Sequence, residues 1–205
     1  AMCGAKPLYL SAGFILEEGF EIEKLQQITQ SMSTASEKAG VMVVTGDTKV
    51  VENGNADGVY INTAGIGLVD QSLDISPKGA KEGDLIIING RIADHGIAIL
   101  SKREGLDFES DIQSDSAPLN GLVEVMLKTS SDIHVLRDPT RGGIAATLNE
   151  IAEASKLGIL IDEQKIPISE SVISISSLLG IDPLNVANEG KLLAIVGNKD
   201  AEADN

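Results

Sequence analysis

The chain has one cysteine, Cys3, in 205 residues, so no disulfide can form within it. A lone thiol fits a reducing compartment, and the expected location is the cytoplasm. Tryptophan is absent and aromatic residues make up 2% of the chain. The core must therefore be aliphatic, built from Ile, Leu, Val and Ala. Basic residues are few: 16 Lys and Arg face 31 Asp and Glu, for a formal net charge of −15. That deficit argues against a nucleic-acid partner held through phosphates. It still allows a phosphorylated small molecule, which a few local cations, backbone N–H groups and a Mg²⁺ can bind. No apolar run reaches the roughly 18–20 residues that cross a bilayer. No signal peptide is evident, and no membrane partner is expected.

What remains is a globular composition with 42% hydrophobic and 23% charged residues. The segment "LYLSAGFIL" (8–16) reads as a strand. Ile22, Leu25, Ile28, Met32, Ala35 and Ala39 recur at helical spacing, which predicts an amphipathic helix over 22–39 closed by Gly40. "VMVVT" (41–45) reads as a short buried strand and 59–69 as another. The polar run 70–83, with Pro77, Gly79 and Gly83, is a linker candidate. Further strands are expected at 84–89, 133–136, 158–162 and 191–196. Helices are expected at about 97–103, 119–128, 143–156 and 170–179, with a polar connection over 103–118. The alternation predicts a layered α+β or α/β fold with mixed sheets. Ala1 before Met2 reads as a tag remnant. Asn198 is placed to cap a helix starting at 199–202 where the sequence stops. A fragment shorter than the natural fold is the expectation.

Four stretches have the composition of a functional site, each with two readings. In "VVTGDTKVV" (43–51), Asp47 at a strand end can hold Mg²⁺ and Lys49 can offset charge on a phosphoryl group. A hairpin turn with solvated Asp and Lys is the alternative. In "DPTRGG" (138–143), Gly142 and Gly143 leave backbone N–H groups open at a helix start, and Arg141 adds a planar fork for an anion. The alternative is a tight turn with Asp138 as acceptor and Pro139 fixing φ. In "IADHG" (92–96), Asp94 is placed to orient the His95 ring or raise its pKa; an ordinary loop histidine is the alternative. In "NVANEGKL" (185–192), Glu189 stands before a strand as an acid/base group, a metal ligand or a plain loop residue. His134, within "IHVL", reads as one face of a strand. Cys3 reads as a small buried or fraying residue.

The segments "YLSAGFILEEG", "VTGDTKVV", "INTAGIG", "DHG", "RDPTRGG" and "NEGKL" occur in this order. Together they resemble the HypE family of [NiFe] hydrogenase maturation factors. That family belongs to the ATP-binding superfamily of aminoimidazole ribonucleotide synthetase, selenophosphate synthetase and thiamine-monophosphate kinase. The resemblance implies a two-domain fold. A partial N-terminal ATP-binding domain over 1–70 pairs its sheet in a homodimer. A linker at 71–83 leads to a partial C-terminal α/β domain over 84–205. The implied reaction is the ATP-dependent dehydration of an S-carbamoyl group on a C-terminal cysteine. Its product, a thiocyanate, is the source of the iron cyanide ligands. ATP and Mg²⁺ are the implied cofactors, and the HypF carbamoyltransferase and the HypC–HypD complex the implied partners. Asp47 would serve the metal, with Gly46 and Thr48 beside it at the nucleotide. Lys49 would stabilise the phosphoryl group, Glu189 would be the base near the carbamoyl, and His95 a secondary polar group. Asp138, Arg141, Gly142, Gly143 and Asn188 would lie at the nucleotide or phosphate. The 205-residue piece alone is expected to be inactive. Alternatives are a related small-molecule kinase, a selenophosphate synthetase, or a non-catalytic dimer or docking fragment.

Overall fold

The computed structural model describes residues 1–105 and 112–198. The helix expected at 199–202 and part of the connection at 103–118 lie outside them. The chain divides into two compact units. One holds Ala5–Asp70, and the other holds Met2–Gly4 with everything from Gln71 onward.

The first unit is a three-stranded sheet with one helix. Strand β1 (Lys6–Glu17) is central, flanked by β2 (Met42–Val51) and β3 (Val59–Leu68). β1 runs parallel to β2, because helix α1 (Ile22–Ala39) carries the chain back between them. β1 and β3 pair antiparallel. The periodicity of α1 places Leu25, Ile28 and Met32 half-buried toward β2, yet no residue of the helix is fully buried. A gap of about 560 Å³ remains there, lined by Met32, Ala12, Phe14 and Val43.

Two expectations fail in β2. The strand does not stop at Thr45 but continues through 46–49 to Val51, so neither a turn nor a strand end lies at Asp47. The strand is also exposed along nearly its whole length, not buried. Gly46 looks like a turn residue but serves interstrand contact: a Cβ there would stand 2.4 Å from the Ala12 carbonyl oxygen.

The second unit centres on β6 (Leu193–Val196), with β4 (Leu85–Ile88) and β5 (Ile133–Arg137) antiparallel on either side. Period-two alternation sends its side chains into different clusters. Leu193 joins Ile97, Ile144, Leu148, Val172 and Ile175, which come from α2 (Asp94–Arg103), α4 (Gly143–Ser155) and α5 (Glu170–Leu179). Ala194 and Val196 join Val123 and Met126 of α3 (Asn120–Thr129). Helices thus pack through both clusters around a purely aliphatic central strand. Each fully buried Ile, Leu or Val contributes about 1.5–3 kcal/mol.

Three further expectations are corrected. α2 begins at Asp94, so Asp94 and His95 lie on a helical first turn and not in a loop. No strand forms at 158–162, where Leu160 is almost fully exposed. Cys3 is exposed. The polar stretch after Asp70 belongs to the second unit, where the Ser76 N–H donates to the His134 carbonyl at 3.2 Å. His134 is buried on β5, with Nδ1 2.7 Å from Asp84 and Nε2 2.7 Å from Asp132.

Glu17 closes the loop between β2 and β3. Its carboxylate accepts the Gly54 N–H at 2.6 Å and the Gly58 N–H at 2.9 Å. These bonds, Gly54 first, hold its pKa below the ordinary 4.5. A depressed folded-state pKa stabilises the fold above the unfolded value, and the contribution is lost as pH falls through the folded value. The urea midpoint of the wild type should therefore exceed that of Glu17→Gln at pH 7. The gap should close as pH drops below 4.5. A gap that stays constant down to acid pH contradicts this.

Candidate active site

The "NEGK" loop is built around a buried amide. Asn188 is 2% exposed. Its Oδ1 accepts the Ala93 N–H at 2.7 Å, and its Nδ2 donates to the carbonyls of Val186 at 2.9 Å and Pro139 at 3.2 Å. Its own backbone N–H also reaches the Pro139 carbonyl, at 3.2 Å. Both Nδ2 hydrogens are thereby used on backbone. Asn188 ties three loops together and does not present a free amide to a ligand.

One of those loops is "DPTRGG". Asp138 behaves as a turn acceptor: its carboxylate takes the Thr140 hydroxyl at 3.1 Å and lies 3.5 Å from Arg137. Arg137 also pairs with Glu150 on α4. The two glycines divide the work. Gly143 has φ of +64°, and a Cβ there would stand 2.4 Å from the Leu184 carbonyl oxygen, so it packs. Gly142 caps α4 with φ of +71° and is exposed. No side chain caps this helix, so N–H groups of its first turn are left for another acceptor. Arg141 is exposed beside them.

The His95 ring is held by a residue other than Asp94. Its Nδ1 lies 2.8 Å from the Ser114 hydroxyl. Asp94 does not orient the ring; it is buried, accepts from Ser169 at 3.3 Å and lies 3.5 Å from Arg91. Glu189 is half-buried, and its carboxylate makes no hydrogen bond or ion pair among the described residues. A carboxylate left in this state is available to accept a proton.

In the first unit, Asp47 and Lys49 stand two residues apart on β2 and so share one face, at a Cα spacing of about 6.6 Å by strand rise. Gly46 and Thr48 alternate with them. Asp47 Oδ1 accepts its neighbour Thr48 N–H at 2.8 Å, leaving Oδ2 open. Among the described residues no group of three or more His, Cys, Asp or Glu is arranged around a metal. A single exposed carboxylate nevertheless suits Mg²⁺, which commonly takes one or two carboxylates and completes its shell with phosphate oxygens and water.

Two residues without an expected role emerge. Lys191 is 8% exposed and pairs with Asp115. Asp115 was one acid among several in a polar connection, and nothing in local composition distinguishes it. A cavity of about 580 Å³ in the second unit, lined by Ile86, Ile144, Leu148, Ile159, Lys165 and Leu193, contains none of the expected site residues.

Residues 81–204 match the C-terminal domain of AIR synthase related proteins, and residues 1–69 match the N-terminal domain. The chain belongs to the AIR synthase related family. Within this family the similarity is to HypE. The chain is 57% identical to the carbamoyl dehydratase HypE of Rhizobium leguminosarum bv. viciae over 204 residues, covering 99% of the chain and 58% of that protein. It superposes on the crystal structure of a HypE–HypF complex with a TM-score of 0.97 at 51% identity, covering 100% of the chain and 67% of its counterpart. A HypE solved in complex with ATP gives a TM-score of 0.97 at 51% identity, covering 99% and 61%. The chain thus spans a little over half the length of the curated relative it matches. Among the described residues of this AIR synthase related chain, no helix is long and apolar enough to cross a membrane.

The hydrogen bonding separates a buried, fully bonded Asn188 from an exposed Arg141 in the family's C-terminal domain. Asn188→Ala should destabilise the second unit by about 3 kcal/mol, because it strands buried backbone partners. Arg141→Ala, at an exposed position, should stay within about 0.5 kcal/mol. Chemical denaturation of both variants checks the contrast, and equal effects contradict it.

Proposed function

We propose that the natural-length protein carrying this chain is an ATP-dependent carbamoyl dehydratase of [NiFe] hydrogenase maturation. The similarity to HypE along nearly the whole chain is the observation that carries this reading. The net reaction converts an S-carbamoyl cysteine and ATP into a thiocyanate, ADP and phosphate. An amide oxygen is a poor leaving group. Its phosphorylation turns it into phosphate, and loss of two protons from the nitrogen completes the nitrile. The cysteine lies at the family's C-terminus, and its thiocyanate supplies the iron cyanide ligands.

The chain's residues take distinct roles. Lys49 offsets charge on the phosphoryl group in transfer. Asp47 would hold Mg²⁺, which supplies charge neutralisation at the phosphates when bound. Thr48 and Gly46 place that carboxylate on the open face of β2. Glu189, unpaired and half-buried, takes a proton from the carbamoyl nitrogen. The uncapped start of α4, with Gly142 and Arg141 exposed and Gly143 and Asp138 shaping the loop, lies at the nucleotide or a phosphate. His95 acts as a secondary polar group, and Asn188 supports the site by holding its loops.

HypF would deliver the carbamoyl group, and the HypC–HypD complex would receive the cyano group, in the cytoplasm. A homodimer is supported by the first unit's sheet. Met42, Val44, Val50, Ile66 and Leu68 are each more than half exposed there, more apolar surface than a lone sheet leaves open to water.

The natural-length protein, supplied with HypF, carbamoyl phosphate and ATP, should release phosphate in a manner that requires its terminal cysteine. Lys49→Ala and Glu189→Ala should each slow this by about 100-fold or more. Phosphate release that ignores the terminal cysteine, or is unchanged in Lys49→Ala, would sink the reading.

A further inference from the structure

We propose that Asp115 is a positioning residue for Glu189: its ion pair with Lys191 latches segment 112–118 across the loop 188–191. This rests on Glu189 acting as the base in the reaction above.

Glu189 has a fixed neighbour on each side. Asn188 is clamped by the backbone of three loops. Gly190, with φ of +63°, lies directly under segment 112–118: a Cβ there would stand 2.1 Å from the Asp115 carbonyl oxygen and 2.8 Å from the Ala117 nitrogen. The Gly190 carbonyl also accepts from Asn89 Nδ2 at 3.2 Å. The segment is tied down twice by side chains. Ser114 meets His95 at 2.8 Å, and Asp115 Oδ2 meets the Lys191 ammonium.

The ion pair is the tie that governs the loop. The Lys191 side chain is 10% exposed, so its charge has little water to turn to. A buried ammonium that loses its partner must find water, which here means opening the loop. Asp115 Oδ1 is buried with no hydrogen-bond partner among the described residues. The Asp115 side chain is 26% exposed, yet leaving that one buried oxygen unpaired is unfavourable, and the Lys191 charge offsets it. Glu189 lies two residues from Lys191 and moves with it. A displacement on the order of 1 Å at a reacting group costs about 100-fold in rate.

The test uses the natural-length protein. Hydrogen exchange at the 188–191 amides is measured with kcat and with KM for ATP. In Asp115→Asn, exchange should speed up by about tenfold or more and kcat should fall by about 100-fold, while KM for ATP stays within about twofold. Asp115→Glu should restore slow exchange and most of kcat. Lys191→Met, which removes the charge and keeps the volume, should likewise speed exchange at the 188–191 amides, and serves as the test if Asp115→Asn does not fold. Glu189→Gln should abolish turnover without altering exchange. Wild-type exchange in Asp115→Asn overturns the latch. Fast exchange with unchanged kcat overturns the positioning role. If the wild type shows no turnover, the proposed reaction falls, and with it the base role, while exchange still decides whether the latch exists.

Discussion

The second unit turns on one buried amide. Asn188 sits in an aliphatic interior where an unpaired polar group is costly, so its partners must all arrive. Those partners are backbone groups at Ala93, Pro139 and Val186. Three chain segments far apart in sequence are thereby brought to one point. Each leads into a candidate site element: the first turn of α2 with His95, the glycine pair before α4, and the loop with Glu189. The candidate site elements at the surface of this unit inherit their geometry from an interaction beneath them.

The two units meet the scarcity of aromatics differently. The second surrounds β6 with helices, and its buried clusters are Ile, Leu, Val, Ala and one Met. Small branched side chains fill such a space through alternation along the strand. The first has one helix and three strands, and buries only a few apolar side chains, among them Ala12, Leu16 and Val41. Its helix lies over the sheet with a gap between them.

Periodic features were the legible part of the sequence. The apolar spacing of α1 matches the observed Ile22–Ala39, and "IAATLNEIAEAS" matches α4. The family resemblance is shared by both domains. Local composition misleads where structure depends on a partner. Residues 158–162 have strand composition, but a strand exists only when another backbone pairs with it, and none does among the described residues. "GDTK" has turn composition, but β1 alongside keeps it extended. The pairing of Asp115 with Lys191 spans 76 positions and has no local signature. Local composition at Gly143 fits a cradle and a turn equally. The backbone of 184–186, remote in sequence, accounts for its missing side chain.

One irregularity in the first sheet has a consequence for how this protein tolerates length change. Leu10 pairs with Val43, but Ser11 pairs with Thr45, so Val44 is an extra residue in β2. A bulge of this kind resets which face each later residue occupies. The face that Asp47 and Lys49 share is thus set by an insertion three residues upstream, not by their own identity. Deleting one residue at the bulge would keep both candidate side chains in the sequence and turn them to the opposite side of the sheet. In this strand, phase matters as much as composition, and a change of length is a change of face.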